Sequence, residues 1–242
     1  MAVPSFYTPD LNSAMTELML PQEEAAHAIK SRRLGQGQAI RLFNGKGLVC
    51  AAEIVSADRR NVSVTLSDFV QHQTIEPALI VAAAVPKGDR QKVMVDALTQ
   101  LGVSQIQPLL CEHSVTRFND KMRAKWQRWA IEACKQSQNP WLPSIAEQCD
   151  LPQLLAGPNK FIYTDIAGQT LSNTLQEFDK QEKNNKENNN LIALIGPEGG
   201  FSKSELQLFE QNQCKPVRLA AHILRTETAA IALASQCAQS LN

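Results

Sequence analysis

Two short stretches near the C-terminus hold residues whose types and spacing could do chemistry. The first is "LIALIGPEGGFSKSE" (191–205), in which an apolar run meets Gly196-Pro197-Glu198-Gly199-Gly200. The second is "VRLAAHILRTETAAIALASQ" (217–236), where Arg225 and Glu227 flank Thr226 ahead of an alanine-rich run. The first reads as a buried strand, a glycine loop and a helix start. Ser202 can cap the following helix and Glu205 can reach back to it, a capping box. Gly199 and Gly200 permit positive φ and close approach of a ligand to the backbone.

Two familiar phosphate loops are excluded. A P-loop needs GxxxxGK[ST], but Phe201 and Ser202 separate Lys203 from Gly200. A dinucleotide fingerprint needs GxGxxG, but Pro197 directly follows the first glycine and lacks an N–H that a phosphate would use. The loop sits beyond the carboxyl end of a strand, where open α/β sheets bind ligands. The residues favour a ligand loop presenting backbone groups, with an ordinary structural turn as the alternative. Arg225 and Glu227 equally fit an ion pair at a plain helix start.

The positioning elements follow from periodicity. "QAIRLFNG" and "LVCAAEIVSA" read as strands joined through Asn44-Gly45-Lys46-Gly47, an Asn-Gly hairpin with a type I′ turn. "NVSVTLSDF" alternates as a half-buried strand, and "PQEEAAHAIKSRR" reads as a short helix beginning at Pro21. Together they make a small β-barrel-like domain ending near "QHQTIEP". Beyond Leu79 strands and helices alternate, which predicts a mostly parallel α/β sheet. "LIVAAAV" suits a central strand, "DRQKVMVDALTQL" a helix closed by Gly102, and "VSQIQPLL", "KFIYTDI", "LIALIG" and "VRLA" further strands. "NDKMRAKWQRWAIEACKQSQ" is a long amphipathic helix stopped by Asn139-Pro140, and "DKQEKNNKENNN" a solvated loop.

Composition narrows the function classes. The formal net charge is zero, so no global basic field announces nucleic acid. Locally, Arg117, Lys121, Arg123, Lys125, Arg128 and Lys135 outnumber Asp120 and Glu132. "PKGDRQK" adds Lys87, Arg90 and Lys92. This is either a solvated helix face or a phosphate-binding track. The six cysteines and four histidines are scattered without metal-ligand spacing, so no metal is expected. The N-terminus lacks a signal pattern and no apolar run approaches a membrane span, so the expectation is a cytoplasmic protein with no membrane partner.

"LIGPEGGFSKSE" followed by "ILRTETAA" resembles the paired C-terminal signature of RsmE-type methyltransferases of the SPOUT superfamily, which methylate N3 of a uridine in 16S ribosomal RNA. "VPKGDRQKVMVDALTQLGVSQIQPLLCEHSV", "WQRWAIEACKQS" and "IRLFNGKG" extend the resemblance, in order, over nearly the whole chain. It implies a PUA-like RNA-binding β-barrel over 1–73 and a SPOUT α/β domain over 74–242 with a C-terminal trefoil knot. It also implies a homodimer and S-adenosylmethionine bound in the knot. The implied cofactor residues are Leu194, Ile195, Gly196, Pro197, Glu198, Gly199 and Gly200 on one loop. On the other they are Leu219, Ala220, Ile223, Leu224, Thr226 and Thr228.

The implied substrate is 16S rRNA near its 3′ decoding region, within the 30S subunit. The candidate catalytic residues are Arg225, to orient the base or stabilise charge, and Glu198 or Glu227, to accept the N3 proton. The candidate RNA contacts are Arg32, Arg33, Lys87, Arg90, Arg117, Arg123, Lys125 and Arg128. The chain departs from the family pattern at Ala220, His222, Gln138, Asn139 and Gln100, where Gly, Arg, Gly, Arg and Glu are usual. The open alternatives are a SPOUT enzyme acting on another rRNA or tRNA site, and a non-catalytic RNA-binding or assembly protein of the same fold.

Overall fold

A computed structural model describes residues 3–58, 61–74, 76, 78–182 and 190–241. The chain forms two compact units, one of residues 1–74 with 131–142, the other of 75–130 with 143–242.

In the first unit, β1 (Ser5–Tyr7), β2 (Glu17–Met19), β3 (Ala39–Phe43), β4 (Leu48–Ala57) and β5 (Val62–Gln71) form one sheet in the order β1-β3-β4-β5-β2. Only β1 and β3 run parallel; the other pairs are antiparallel. Alternating residues of β3, β4 and β5 bury Ile40, Leu42, Ile54, Val62 and Val64 with Phe6 and Leu11. Helix α1 (Gln22–Ala26) starts after Pro21 as expected, but continues as a π-helical turn over His27–Ser31.

The β3–β4 hairpin is present with a different turn. Gly45 and Gly47 have positive φ, whereas Asn44 does not. The Asn44 side chain instead accepts from the Lys46 and Leu48 amides at 2.8 and 3.1 Å. A side chain that imitates a backbone turn replaces the type I′ geometry.

The second unit contains β6 (Leu79–Ala84), α2 (Arg90–Gln100), β7 (Gln105–Leu110) and the start of α3 (Asp120–Ser137). It continues through β8 (Ser144–Ile145), β9 (Cys149–Asp150), α4 (Leu151–Leu155), β10 (Lys160–Gln169) and α5 (Leu171–Glu182). It ends with β11 (Leu191–Ile195), α6 (Lys203–Gln211), β12 (Lys215–Val217) and α7 (Thr226–Leu241). The sheet order is β12-β10-β11-β6-β7-β8, with β9 beside β7, and every pairing is parallel. β6 and β11 are central and buried along nearly their whole length, as their unbroken apolar runs require. Ala82, Ala83 and Ala84 on β6, with Ala229, Ala230 and Ala234 on α7, are all buried, and small side chains let the helix approach the sheet closely.

Two expectations change in detail. The last strand is "KPV", so Arg218, Leu219 and Ala220 lie beyond its end. Pro216 is tolerated because β12 is an edge strand. "DKQE" belongs to α5, and residues 183–189 of the expected solvated loop lie outside the described residues.

The polar end of α3 also differs from a solvated track. Lys135, within the first unit, is buried, with Nζ 2.9 Å from Glu132, 3.0 Å from Glu24 and 2.8 Å from His27 Nδ1. Burial raises the Glu24 pKa despite Lys135, and burial together with Lys135 lowers that of His27.

β10 and β12 meet twice. Thr164 and Gln169 both register with Val217, and the Arg218 amide donates to Gln169 at 2.7 Å. Residues 165–168 therefore bulge out of β10 around the end of β12, and Asp165 accepts from the Ala167 amide at 2.8 Å within that bulge.

Candidate functional site

The glycine loop is held from several sides. The Gly200 amide donates to the Pro197 carbonyl at 2.8 Å, and Gly200 adopts φ 71°. The Gly200 carbonyl accepts from His113 Nδ1 at 3.1 Å. A Cβ on Gly199 would stand 3.1 Å from His113 Cβ, a close approach that a larger residue could keep only by a shift of a few tenths of an ångström. The predicted capping box is present, with Ser202 Oγ accepting from the Glu205 amide and Glu205 Oε2 from the Ser202 amide at 2.7 Å. Glu205 Oε1 also accepts from the Glu112 amide at 2.8 Å.

One buried carboxylate thus ties the loop to the segment after β7. Glu205→Ala should cost about 2 kcal/mol, a lost cap plus buried amides without acceptors. Urea denaturation measures the loss, and an unchanged midpoint would refute the tie.

Opposite stands the 217–226 loop. Thr226 Oγ1 donates to the Gly196 carbonyl at 3.0 Å, joining the two loops. Between them, at the carboxyl ends of β10 and β11, lies a cavity of about 370 Å³. One wall is the loop of residues 195–200; the other is Leu219, Ala220, Ile223, Leu224 and Thr226.

Four candidates fall outside the cavity wall. Leu194 is fully buried in the apolar cluster with Ile192, Phe161 and Phe209, so it serves packing. Thr228 and Arg225 are exposed and Glu227 is buried, none of them lining the cavity. Conversely, Thr164, Asp165, Ile166, Phe201 and His222 line it and were not among the sequence candidates. Asp165 stands just past an apolar strand run, "KFIYTD", the position from which a parallel strand presents a functional carboxylate.

The cavity's charge is informative. Asp165 and Glu198 contribute two carboxylates, and among its lining residues only the His222 side chain can carry positive charge. Ile195, Phe201, Leu219 and Leu224 add apolar surface. This suits a largely apolar, cationic small molecule better than an anion.

Glu198 is engaged by Arg90, not by Arg225. Arg90 Nη1 lies 3.2 Å from Glu198 Oε1 and 3.8 Å from Glu227 Oε2. Arg90 is therefore held between carboxylates rather than presented on an open track. Arg123 likewise pairs with Asp120 at 2.8 Å and Glu147 at 3.1 Å. Lys87, Arg117, Lys125 and Arg128 are exposed, with Lys125 Nζ 4.8 Å from the Trp129 ring centre. In the first unit Arg32 and Arg33 are exposed, and Arg33 has φ 54° where the π-helical turn ends.

Thiolate chemistry is disfavoured, because burial pushes Cys50 up to about 11 and Cys111, Cys134, Cys214 and Cys237 up to about 12. Among the described residues no group of three or more His, Cys, Asp or Glu could hold a metal ion, and no helix is long and apolar enough to cross a membrane.

Comparison with known proteins places this architecture. Residues 74–238 match a family described as the RNA methyltransferase domain, and residues 20–67 one described as the RNA methyltransferase PUA domain. The chain belongs to this RNA methyltransferase family. Within it, the particular resemblance is to the RsmE type. Ribosomal RNA small subunit methyltransferase E of Rickettsia conorii is 27% identical over 231 residues, 93% of this chain and 92% of the relative.

Among solved structures, the Ribosomal RNA small subunit methyltransferase E of Neisseria gonorrhoeae bound to S-adenosyl methionine shares the fold. Its TM-score is 0.86 at 24% identity, covering 99% of this chain and 98% of that one. A putative methyltransferase from Legionella pneumophila in complex with the bound cofactor SAM has a TM-score of 0.82 at 26% identity, with the same coverage.

Proposed function

We propose that this chain uses S-adenosylmethionine to methylate N3 of one uridine in the 3′ decoding region of 16S rRNA. It acts in the cytoplasm, as a homodimer, on the 30S subunit. The observation that carries this reading is the cavity between the 195–200 and 219–226 loops, with apolar walls and two carboxylates. Its volume lies at the lower end of small-molecule sites. Its chemistry fits a ligand with the flat aromatic faces of a purine and positively charged sulfonium and ammonium groups. The trefoil knot implied by the motifs is part of this reading.

When bound, the cofactor supplies a methyl group already activated by the sulfonium. The chain's own residues position the base and manage a proton. Uracil N3 carries a proton that must leave as N3 attacks, and the base must be unpaired first. Glu198 is our candidate acceptor, since it lines the cavity while Glu227 is buried away from it. Arg225, exposed beside the second loop, is our candidate for orienting the base. Residues 1–73, with Arg32 and Arg33, serve as the RNA-binding domain. Lys87, Arg117, Lys125 and Arg128 add phosphate contacts from the 74–242 domain.

The test is a primer-extension map of 16S rRNA from cells with and without the gene. N3-methyluridine blocks pairing, so one stop near the 3′ end should vanish with the gene and return with it. An unchanged stop pattern would overturn the assignment. Methyl transfer in vitro to 30S subunits should exceed transfer to naked 16S RNA at least tenfold if the assembled subunit is the substrate.

A further inference from the structure

Arg90 offers an inference that deepens the proposed function and rests on that reading for its consequence in catalysis. α2 begins at Arg90, and the next residue is fixed: Gln91 Oε1 accepts from the Trp126 indole at 3.0 Å, and Trp126 is fully buried. The Arg90 guanidinium is therefore presented from a rigid base. One of its nitrogens, Nη1, faces both Glu198 on the glycine loop and Glu227 in the first turn of α7.

The two carboxylates differ. The Glu227 side chain is 9% exposed, and its Oε2 is buried without a hydrogen-bond partner; that of Glu198 is 40% exposed. A buried carboxylate needs a counter-charge, whereas a rim carboxylate can remain in water. Glu227 therefore fixes the guanidinium, and the guanidinium fixes Glu198 at the cavity rim.

We propose that Arg90 is a positioning residue: anchored on Glu227, it holds Glu198 and the 198–200 turn in place at the mouth of the cavity. This differs from a phosphate contact, the role its place in "PKGDRQK" suggests. Within the proposed reaction, its contribution is the orientation of Glu198.

Arg90→Met, Arg90→Lys, Glu198→Gln and the Arg90→Met/Glu198→Gln pair test the proposal in the full-length protein. The first readout is amide hydrogen exchange at residues 198–200 without added cofactor. Arg90→Met and Glu198→Gln should each speed exchange about threefold to tenfold, and the double variant no further than Arg90→Met, because the Arg90–Glu198 pair is lost in all three. Arg90→Lys should stay within about twofold of the parent, since a single nitrogen serves both carboxylates.

The second readout is 30S methylation. Arg90→Met should lower kcat about tenfold, with the KM for 30S and its salt dependence unchanged. Unchanged exchange in both single variants would overturn the proposal. So would a raised 30S KM with a salt slope reduced by about one, the mark of a lost phosphate contact. If Arg90→Met fails to fold, Glu198→Gln alters the same contact at an exposed side chain. If the parent itself transfers no methyl group, the proposed function fails while the exchange comparison still decides the role of Arg90.

Discussion

Gly168→Ala is expected to destabilise the second unit by about 3 kcal/mol or more, a loss of roughly 10 °C in melting temperature. An ideal Cβ at this position would lie 2.5 Å from the carbonyl carbon of Pro216 and 2.6 Å from its oxygen and from the Val217 nitrogen. These are backbone atoms, so no side chain can swing aside. The segments also cannot separate freely. Val217 is in register with Thr164 before the bulge and Gln169 after it, and the Arg218 amide donates to Gln169. The added methyl would force this crossing open and move Asp165 and Val217, which line the cavity.

Gly35→Ala is the control. Nothing lies within 4 Å of a Cβ there, so the change should stay within about 0.5 kcal/mol. Melting of the two variants by circular dichroism settles the matter. Equal melting temperatures would mean that the crossing yields easily and is no constraint on the fold.

The parts of this molecule legible in the sequence are those written in local pattern. β6 and β11 are unbroken apolar runs and prove central; Gly102, the C′ residue of α2, has φ 78°. The capping box at Ser202 and Glu205 follows from spacing alone, and so does the glycine loop before it that walls the cavity. What failed depended on direction or on partners distant in sequence.

Leu194 belongs to a motif that borders the cavity. Yet side chains alternate along a strand, and its own points with Ile192 into the apolar cluster. Thr226 lines the cavity, while Thr228, two positions on, falls on the other side of the helix and is exposed. Arg90 reads as one cation in a basic run, because nothing local shows that Glu198 and Glu227 converge on it. Lys135 reads as part of the basic helix face, yet it is buried against Glu24, from another element altogether. Charge patterns count charges; only tertiary placement says which are already paired.

The carboxylate that motif reading passed over carries the second large expectation: Asp165→Asn should weaken S-adenosylmethionine binding about 10- to 100-fold. Asp165 lines the cavity, and one of its oxygens accepts from the Ala167 amide at 2.8 Å. Among the described residues the other oxygen has no such backbone duty, and it is the carboxylate's means of meeting a cation or a hydroxyl. The amide of Asn keeps the shape, and its carbonyl can still serve Ala167, so the bulge is retained. It loses the negative charge and turns one acceptor into a donor. A hydrogen bond to a charged group contributes about 1.5–3 kcal/mol, which sets the range.

Calorimetry with the purified protein measures the affinity, and the melting temperature of the unliganded variant should shift by no more than about 3 °C. Weakened binding at unchanged stability would place Asp165 in contact with the ligand. Unchanged affinity would leave Glu198 as the cavity carboxylate that the cation meets. Weakened binding with a large loss of stability would instead make Asp165 a support for the turn around β12.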